Sequence, residues 1–254
     1  MIDLHRPDPG RILVVGHRGA EALAPENTWA AFQAGFEAGA DLLELDVQLT
    51  ADGEAVVIHD FTLWPKLRDR RWVRELTYRA LQELDVGSWF SPTFAGQHIP
   101  HFAEVLDWAR GKVPLLVDLK HGFWGPEDDR LEMTALDLID NMGMANQVVL
   151  SSWDQVALAR VRARRPGILL SINQRQRVAN PVGRIRPTGA RWVTVYWPQT
   201  DQDSVARLQR AGLVVNLTDL FSADYAEAQR LGVNAVTVTD PRAARAALAG
   251  HRPA

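Results

Sequence analysis

Nine short apolar runs alternate with amphipathic helical patterns along this chain, and that alternation limits the fold more than any other feature. The runs are ILVV (from Ile12), LLELDV (from Leu42), AVVIH (from Ala55), PLLVDL (from Pro114), QVVLS (from Gln147), ILLSI (from Ile168), RWVTV (from Arg191), LVVNL (from Leu213) and AVTVT (from Ala235). Most are nearly continuous in hydrophobicity, as parallel strands covered on both faces should be. Helical patterns lie between them, for example from Thr28, His101, Asp129, Trp153, Asp203 and Ser222, several closed by Gly or Pro. Strand–helix alternation over 254 residues points to a (β/α)8 barrel or a doubly wound sheet. The segment after the first run, GHRGAEALAPEN, lacks the G-x-G-x-x-G fingerprint of the second. The expected fold is therefore an α/β (β/α)8 TIM barrel, forming one domain over residues 1–254.

Nine strands is one too many for such a barrel. Ala51-Asp52-Gly53 is a tight-turn signal between two extended runs. The run from Ala55 is thus expected as the return arm of a hairpin, an irregularity at strands 2–3. That arm would bring His59 and Asp60 back opposite Glu44 and Asp46. Residues 61–100, rich in Trp and Arg, read as a small insertion.

Composition removes several classes of function. With no cysteine, disulfides, thiolate metal sites and cysteine nucleophiles are all excluded, and any metal must sit on oxygen or imidazole. A net charge of -3 gives no general attraction to nucleic acid. No window holds the roughly 18 apolar residues of a membrane helix, so stable membrane insertion is not expected. MIDLHRPDPGR is charged and proline-broken, unlike a signal peptide, which favours a cytoplasmic location. Oligomeric state is not legible.

A barrel places its active site at the C-terminal ends of its strands. Glu44 and Asp46 are two residues apart on one run and share a face. Two carboxylates in apolar surroundings repel, and a hard divalent cation, Mg²⁺ or Ca²⁺, neutralises them naturally. The plain alternative is a pair of surface carboxylates on an edge strand. Asp118 is a candidate third ligand. Lys120 is either a phosphate-binding charge or one half of a salt bridge. His17 and His59 follow strand ends and together can serve as acid and base. Arg18 offers a bidentate fork to phosphate. Trp124, Trp153 and Trp197 follow strand ends and are candidate walls of a substrate pocket. His98, His101 and His121 are expected close enough to modify it. A hard cation, an acid–base pair and two cations suit phosphoryl transfer or phosphodiester cleavage.

The stretch GHRGAEALAPENTWAAFQAGFEAGADLLELDVQLTADGEAVVIHD resembles the glycerophosphodiester phosphodiesterase family. The elements H-R-G, P-E-N-T, G-A-D-x-x-E-x-D-V, T-x-D-G and V-x-H-D occur in order, and weaker likeness runs on through PLLVDLK, VVLSSWD and GVNAVTVTDP. The resemblance implies a TIM barrel with an insertion after the H-D motif and a divalent metal on Glu44, Asp46 and Asp118. It implies His17 and His59 as the acid–base pair, with Arg18 and Lys120 on the phosphate. The implied reaction converts a small-molecule glycerophosphodiester to sn-glycerol 3-phosphate and an alcohol through a cyclic phosphate. Several positions depart from the family pattern. Asp118 stands where Glu is usual, FTLWPKLRDRRW follows His59-Asp60, and VVNLTDL lacks the usual Trp. These leave the substrate open, with a lysophospholipase D or sphingomyelinase-D-like enzyme as one alternative. A glycosidase and a non-catalytic phosphodiester-binding barrel are two more.

Overall fold

In a computed structural model describing residues 2–8, 10–64, 66–121, 127–175, 179–218 and 225–249, the apolar runs form one sheet that closes on itself. The strands are β1 (Leu13–Gly16), β2 (Leu42–Leu49), β3 (Ala55–Val57), β4 (Leu115–Leu119), β5 (Val148–Ser152), β6 (Leu169–Gln174), β7 (Trp192–Tyr196), β8 (Val214–Thr218) and β9 (Ala235–Val238). Neighbours run in the order β1-β9-β8-β7-β6-β5-β4-β2, and a β1–β2 pairing closes an eight-stranded parallel barrel. The helices are α1 (Trp29–Glu37), α2 (Tyr78–Gln82), α3 (Phe102–Ala109), α4 (Arg130–Asn141), α5 (Gln155–Arg164), α6 (Pro181–Ile185), α7 (Gln202–Arg210), α8 (Tyr225–Leu231) and α9 (Pro241–Ala249). Side-chain caps start several of them: Thr28 accepts from Ala31 N, and Asp154 from Val156 N.

β3 is the ninth strand and stands outside the parallel ring. It pairs antiparallel with the end of β2, Val47 opposite Val57 and Leu49 opposite Ala55. Along β2, the pairing with β1 is confined to the start, at Leu42 and Leu43. The hairpin therefore extends the wall above β1, at the C-terminal mouth. Gly53, at φ 82°, turns the chain tightly enough for this.

Alternation along the strands separates three environments. Outward residues such as Leu43, Leu45, Val117 and Leu150 pack against the helices in the main core. Inward residues near the strand starts, including Leu13, Val15, Leu42, Leu116, Val149 and Trp192, fill the barrel floor with Leu4 from the N-terminal segment. Trp192 Nε1 donates to Leu4 O at 2.9 Å, which satisfies the one polar atom of that indole. Inward residues further along are polar: Glu44, Asp46, Asp118, Ser151, Asn173, Thr194 and Asn216, all buried. Residues after β3 have their own apolar cluster, in which Leu63, Val73, Leu76, Leu81 and Ile99 cover Val56.

Candidate active site

The polar inward residues line a cavity of about 340 Å³ at the C-terminal mouth. The parallel register puts Asp46 beside Asp118, and Glu44 one step deeper beside Leu116. His17, Arg18, Glu44, Asp46, His59, Asp118, Lys120 and Trp153 all line the cavity. Trp197 does not. Side chains alternate along β7, so Tyr196 faces the cavity while Trp197 packs against the main core. Trp124 lies outside the described residues. His98 and His101 are engaged elsewhere, with Leu84 O and with Glu54. His121 does not line the cavity; it faces buried Glu132 at 3.5 Å.

Each cavity imidazole is held by a carboxylate. His59 Nδ1 lies 2.8 Å from Asp60 Oδ1. A proton donated to that carboxylate leaves Nε2 as an acceptor. His17 Nδ1 lies 2.7 Å from Glu21 Oε1, and its Nε2 is 3.9 Å from Glu44 Oε2. Burial opposes charge on His17, but the Glu21 hydrogen bond and the Glu44 charge outweigh it and push the imidazole up to about 9. Both carboxylates thus favour the protonated imidazole.

The three carboxylates expected as metal ligands differ in what satisfies them. Asp46 Oδ2 accepts from Asn27 Nδ2 at 2.9 Å, Asp118 Oδ1 from Asn173 Nδ2 at 2.8 Å, and Glu44 Oε2 from Arg18 N at 2.8 Å. Lys120 Nζ sits 3.5 Å from Asp46 and 3.4 Å from Asp118, so it forms the salt bridge to both. Burial, then the Asp46 charge, raises Glu44. Burial also raises Asp118, with the Asp46 charge adding to it against Lys120. Burial acts on Asp46 as well, but Lys120, His59, Arg18 and Asn27 hold it below the usual carboxylate range. Burial thus leaves Glu44 and Asp118 poorly neutralised, and carboxylate oxygens of this kind are the donors that a hard divalent cation takes.

Among the described residues, Glu26, His59 and Asp60 form the set whose ligand atoms lie within 4.8 Å of one another, a closeness that Glu44, Asp46 and Asp118 do not reach. Its charges are already matched. Lys66 Nζ donates to both Glu26 Oε1 and Asp60 Oδ2 at 2.7 Å, and Arg18 donates to Glu26 at 2.8 Å. This network ties the insertion to the His59 support and holds Arg18 at the mouth.

Backbone geometry reinforces the loop after β1. Arg18 and Asn27 adopt φ 48° and 55°, and Gly19 adopts φ 89°. A Cβ on Gly19 would meet Ala31 C at 2.6 Å. The partners that sequence reading missed, Glu21, Glu26, Asn27, Lys66 and Asn173, support other groups. Glu21, four residues after His17, was the most findable.

Fold and cavity define a (β/α)8 barrel whose C-terminal mouth holds two carboxylate-supported imidazoles, a buried carboxylate cluster and the cations Arg18, Lys120 and Arg175. The profile of the glycerophosphoryl diester phosphodiesterase family matches residues 17–243, and the chain belongs to that family. YhdW of Bacillus subtilis is 36% identical over 155 residues, 61% of this chain and 63% of its own length. A glycerophosphodiester phosphodiesterase of Caldanaerobacter subterraneus subsp. tengcongensis is 34% identical over 163 residues, 64% of this chain and 66% of its own. The chain thus aligns with just under two thirds of these relatives. An Oleispira antarctica phosphodiesterase, solved with the product sn-glycerol-3-phosphate, superposes with a TM-score of 0.87 at 21% identity, covering 93% of this chain and 96% of that one.

Proposed function

We propose that this protein is a metal-dependent phosphodiesterase that hydrolyses glycerophosphodiesters to sn-glycerol 3-phosphate and an alcohol. The observation that carries this reading is the pair of imidazoles, each fixed through Nδ1 by a carboxylate and both lining the cavity that holds Arg18 and Lys120. His59 Nε2 is the base that takes the proton of the attacking glycerol hydroxyl. His17 is the acid that protonates the leaving alcohol. An internal hydroxyl gains from proximity and yields a cyclic phosphate, which water opens with the two roles exchanged. Lys120 and Arg18 place charge against the phosphoryl oxygens, and Asp60 and Glu21 keep the imidazoles oriented. Glu44, Asp46 and Asp118 would hold Mg²⁺ or Ca²⁺, which supplies Lewis-acid polarisation of the phosphoryl oxygen. The product seen on the Oleispira protein supports the glycerol side of the substrate.

The test is release of glycerol 3-phosphate from glycerophosphoethanolamine, with and without a chelator, restored by Mg²⁺ or Ca²⁺. His17→Ala should lose most activity on this substrate and recover part of it when p-nitrophenol, which needs no proton, replaces the alcohol. His59→Ala should lose activity equally on both. Wild-type turnover by His17→Ala on the natural alcohol overturns the acid assignment. Binding without turnover across a diester panel would instead favour the non-catalytic barrel.

A further inference from the structure

Two exposed indoles stand on the segment that follows β3. Trp64 is 45% exposed and Trp89 is 41% exposed. Trp89 has its one polar atom satisfied within the chain, Nε1 donating to Val86 O at 2.8 Å, so its ring can leave water without stranding a donor. It begins an aromatic ridge: the Trp89 and Phe90 centroids lie 5.7 Å apart, and those of Phe90 and Phe94 5.5 Å. Trp89 also lines a small apolar cleft with Leu63, Leu67 and His59. His59 lines the catalytic cavity too, so this indole stands beside the mouth.

Cations flank both rings. From Trp64 to Glu75 the sequence has five cations and two carboxylates, in a chain whose net charge is -3. Arg71 is matched by Asp69, and Lys66 by Glu26 and Asp60. Arg68 and Arg70 are exposed and meet no carboxylate among the described residues. The Arg70 guanidinium carbon lies 5.8 Å from the Trp64 centroid, and Lys66 Nζ lies 5.7 Å from that of Trp89. On the Trp89 side, Asp85 is turned into its own loop, accepting from Gly87 N at 2.8 Å and Ser88 N at 3.0 Å. Exposed indoles beside unpaired guanidiniums match a phospholipid–water interface, where rings settle at headgroup level and cations meet lipid phosphates. A nucleic acid fits less well, because it stacks bases on bare ring faces along a continuous cationic groove, and here a cation already stands over each of the two rings.

We propose that Trp64, Arg68, Arg70 and Trp89 form a docking face for an anionic phospholipid surface, which sets the catalytic mouth against the membrane. Binding alone tests this, independently of any cleavage. The experiment is co-sedimentation of the protein with vesicles of phosphatidylcholine alone and of phosphatidylcholine with about one third phosphatidylglycerol. The wild-type protein should sediment with the anionic vesicles and stay in solution with the neutral ones. Raising the salt from about 0.1 M to about 1 M, which shortens the screening length from about 10 Å to about 3 Å, should release it. Replacing both cations, Arg68→Gln with Arg70→Gln, should weaken partitioning by about 30-fold, at about fivefold per cation near such a surface. Replacing both indoles, Trp64→Ala with Trp89→Ala, should weaken it by about tenfold through lost apolar burial. Circular dichroism checks that both double variants fold. Equal partitioning to neutral and anionic vesicles, no partitioning to either, or a folded double variant that binds like wild type overturns the assignment. A single-stranded oligonucleotide that strips the protein from the vesicles at equal phosphate concentration overturns it in favour of a nucleic acid.

Discussion

Replacing Asn27 by alanine tests how the loop after β1 is coupled to the carboxylate cluster. Asn27 is 4% exposed and does three things at once. Its Nδ2 donates to Asp46 Oδ2 at 2.9 Å, its Oδ1 accepts from Asp46 N at 3.3 Å, and its own N–H donates to Arg18 O at 3.0 Å. Its φ of 55° lies in the left-handed region, which Asn tolerates and Ala does not. Losing a hydrogen bond to a buried carboxylate costs about 1.5–3 kcal/mol. Holding alanine at this φ costs about 1–2 kcal/mol more. Asn27→Ala should therefore destabilise the fold by about 3–5 kcal/mol, a large share of a typical domain's stability. Asn27→Gly keeps the backbone conformation at no strain, so it should recover about 1 kcal/mol of that loss. With Asp46 left one donor short and free to turn, kcat/KM should fall by about 10–100-fold, the usual effect of removing support from a metal ligand, which is the role proposed for Asp46. Urea unfolding followed by circular dichroism, with kcat/KM in parallel, measures both. An Ala variant within about 1 kcal/mol of wild type and fully active would refute the coupling.

Three further outcomes follow from the geometry. Gly19→Ala combines a disfavoured φ with a Cβ 2.6 Å from Ala31 C, so it should cost about 2–4 kcal/mol and displace His17 and Arg18; unchanged melting and turnover would contradict this. Trp192→Phe removes the bond to Leu4 O on the barrel floor and should cost about 1–3 kcal/mol while leaving KM unaltered, because that end carries no site residue. Burial acts to raise Asp60, but hydrogen bonds from His59 and Lys66 and their charges hold it well below the usual carboxylate range. A depressed folded pKa contributes stability that is present above the unfolded value and lost as pH falls through the folded one. The stability gap between wild type and Asp60→Asn should therefore narrow as pH drops below the ordinary carboxylate range, and urea midpoints that keep a constant gap would refute the pairing.

Local sequence pointed to the barrel. Continuous apolar runs at these intervals read as strands covered on both faces, the missing glycine fingerprint argued against a doubly wound sheet, and one run too many pointed to a hairpin at Asp52-Gly53. The reactive groups were legible for the same local reason: residues two apart on a strand share a face, so Glu44 with Asp46 and Asp118 with Lys120 could be paired by counting. Counting also misled at β7, where Trp197 was the conspicuous aromatic but Tyr196 has the inward phase. The five-residue α2 and α6 are too short for a helical period to stand out. What supports the reactive groups could not be read at all. Lys66 reaching Glu26 across 40 positions, Asn173 reaching Asp118 across 55, and Arg175 settling over Tyr196 depend on which strands become neighbours and which side chains then meet. Sequence alone named the imidazoles, carboxylates, Arg18 and Lys120 that line the cavity. The closed parallel register decided which charges would be matched, because partners that far apart in the chain are brought together only when the sheet closes.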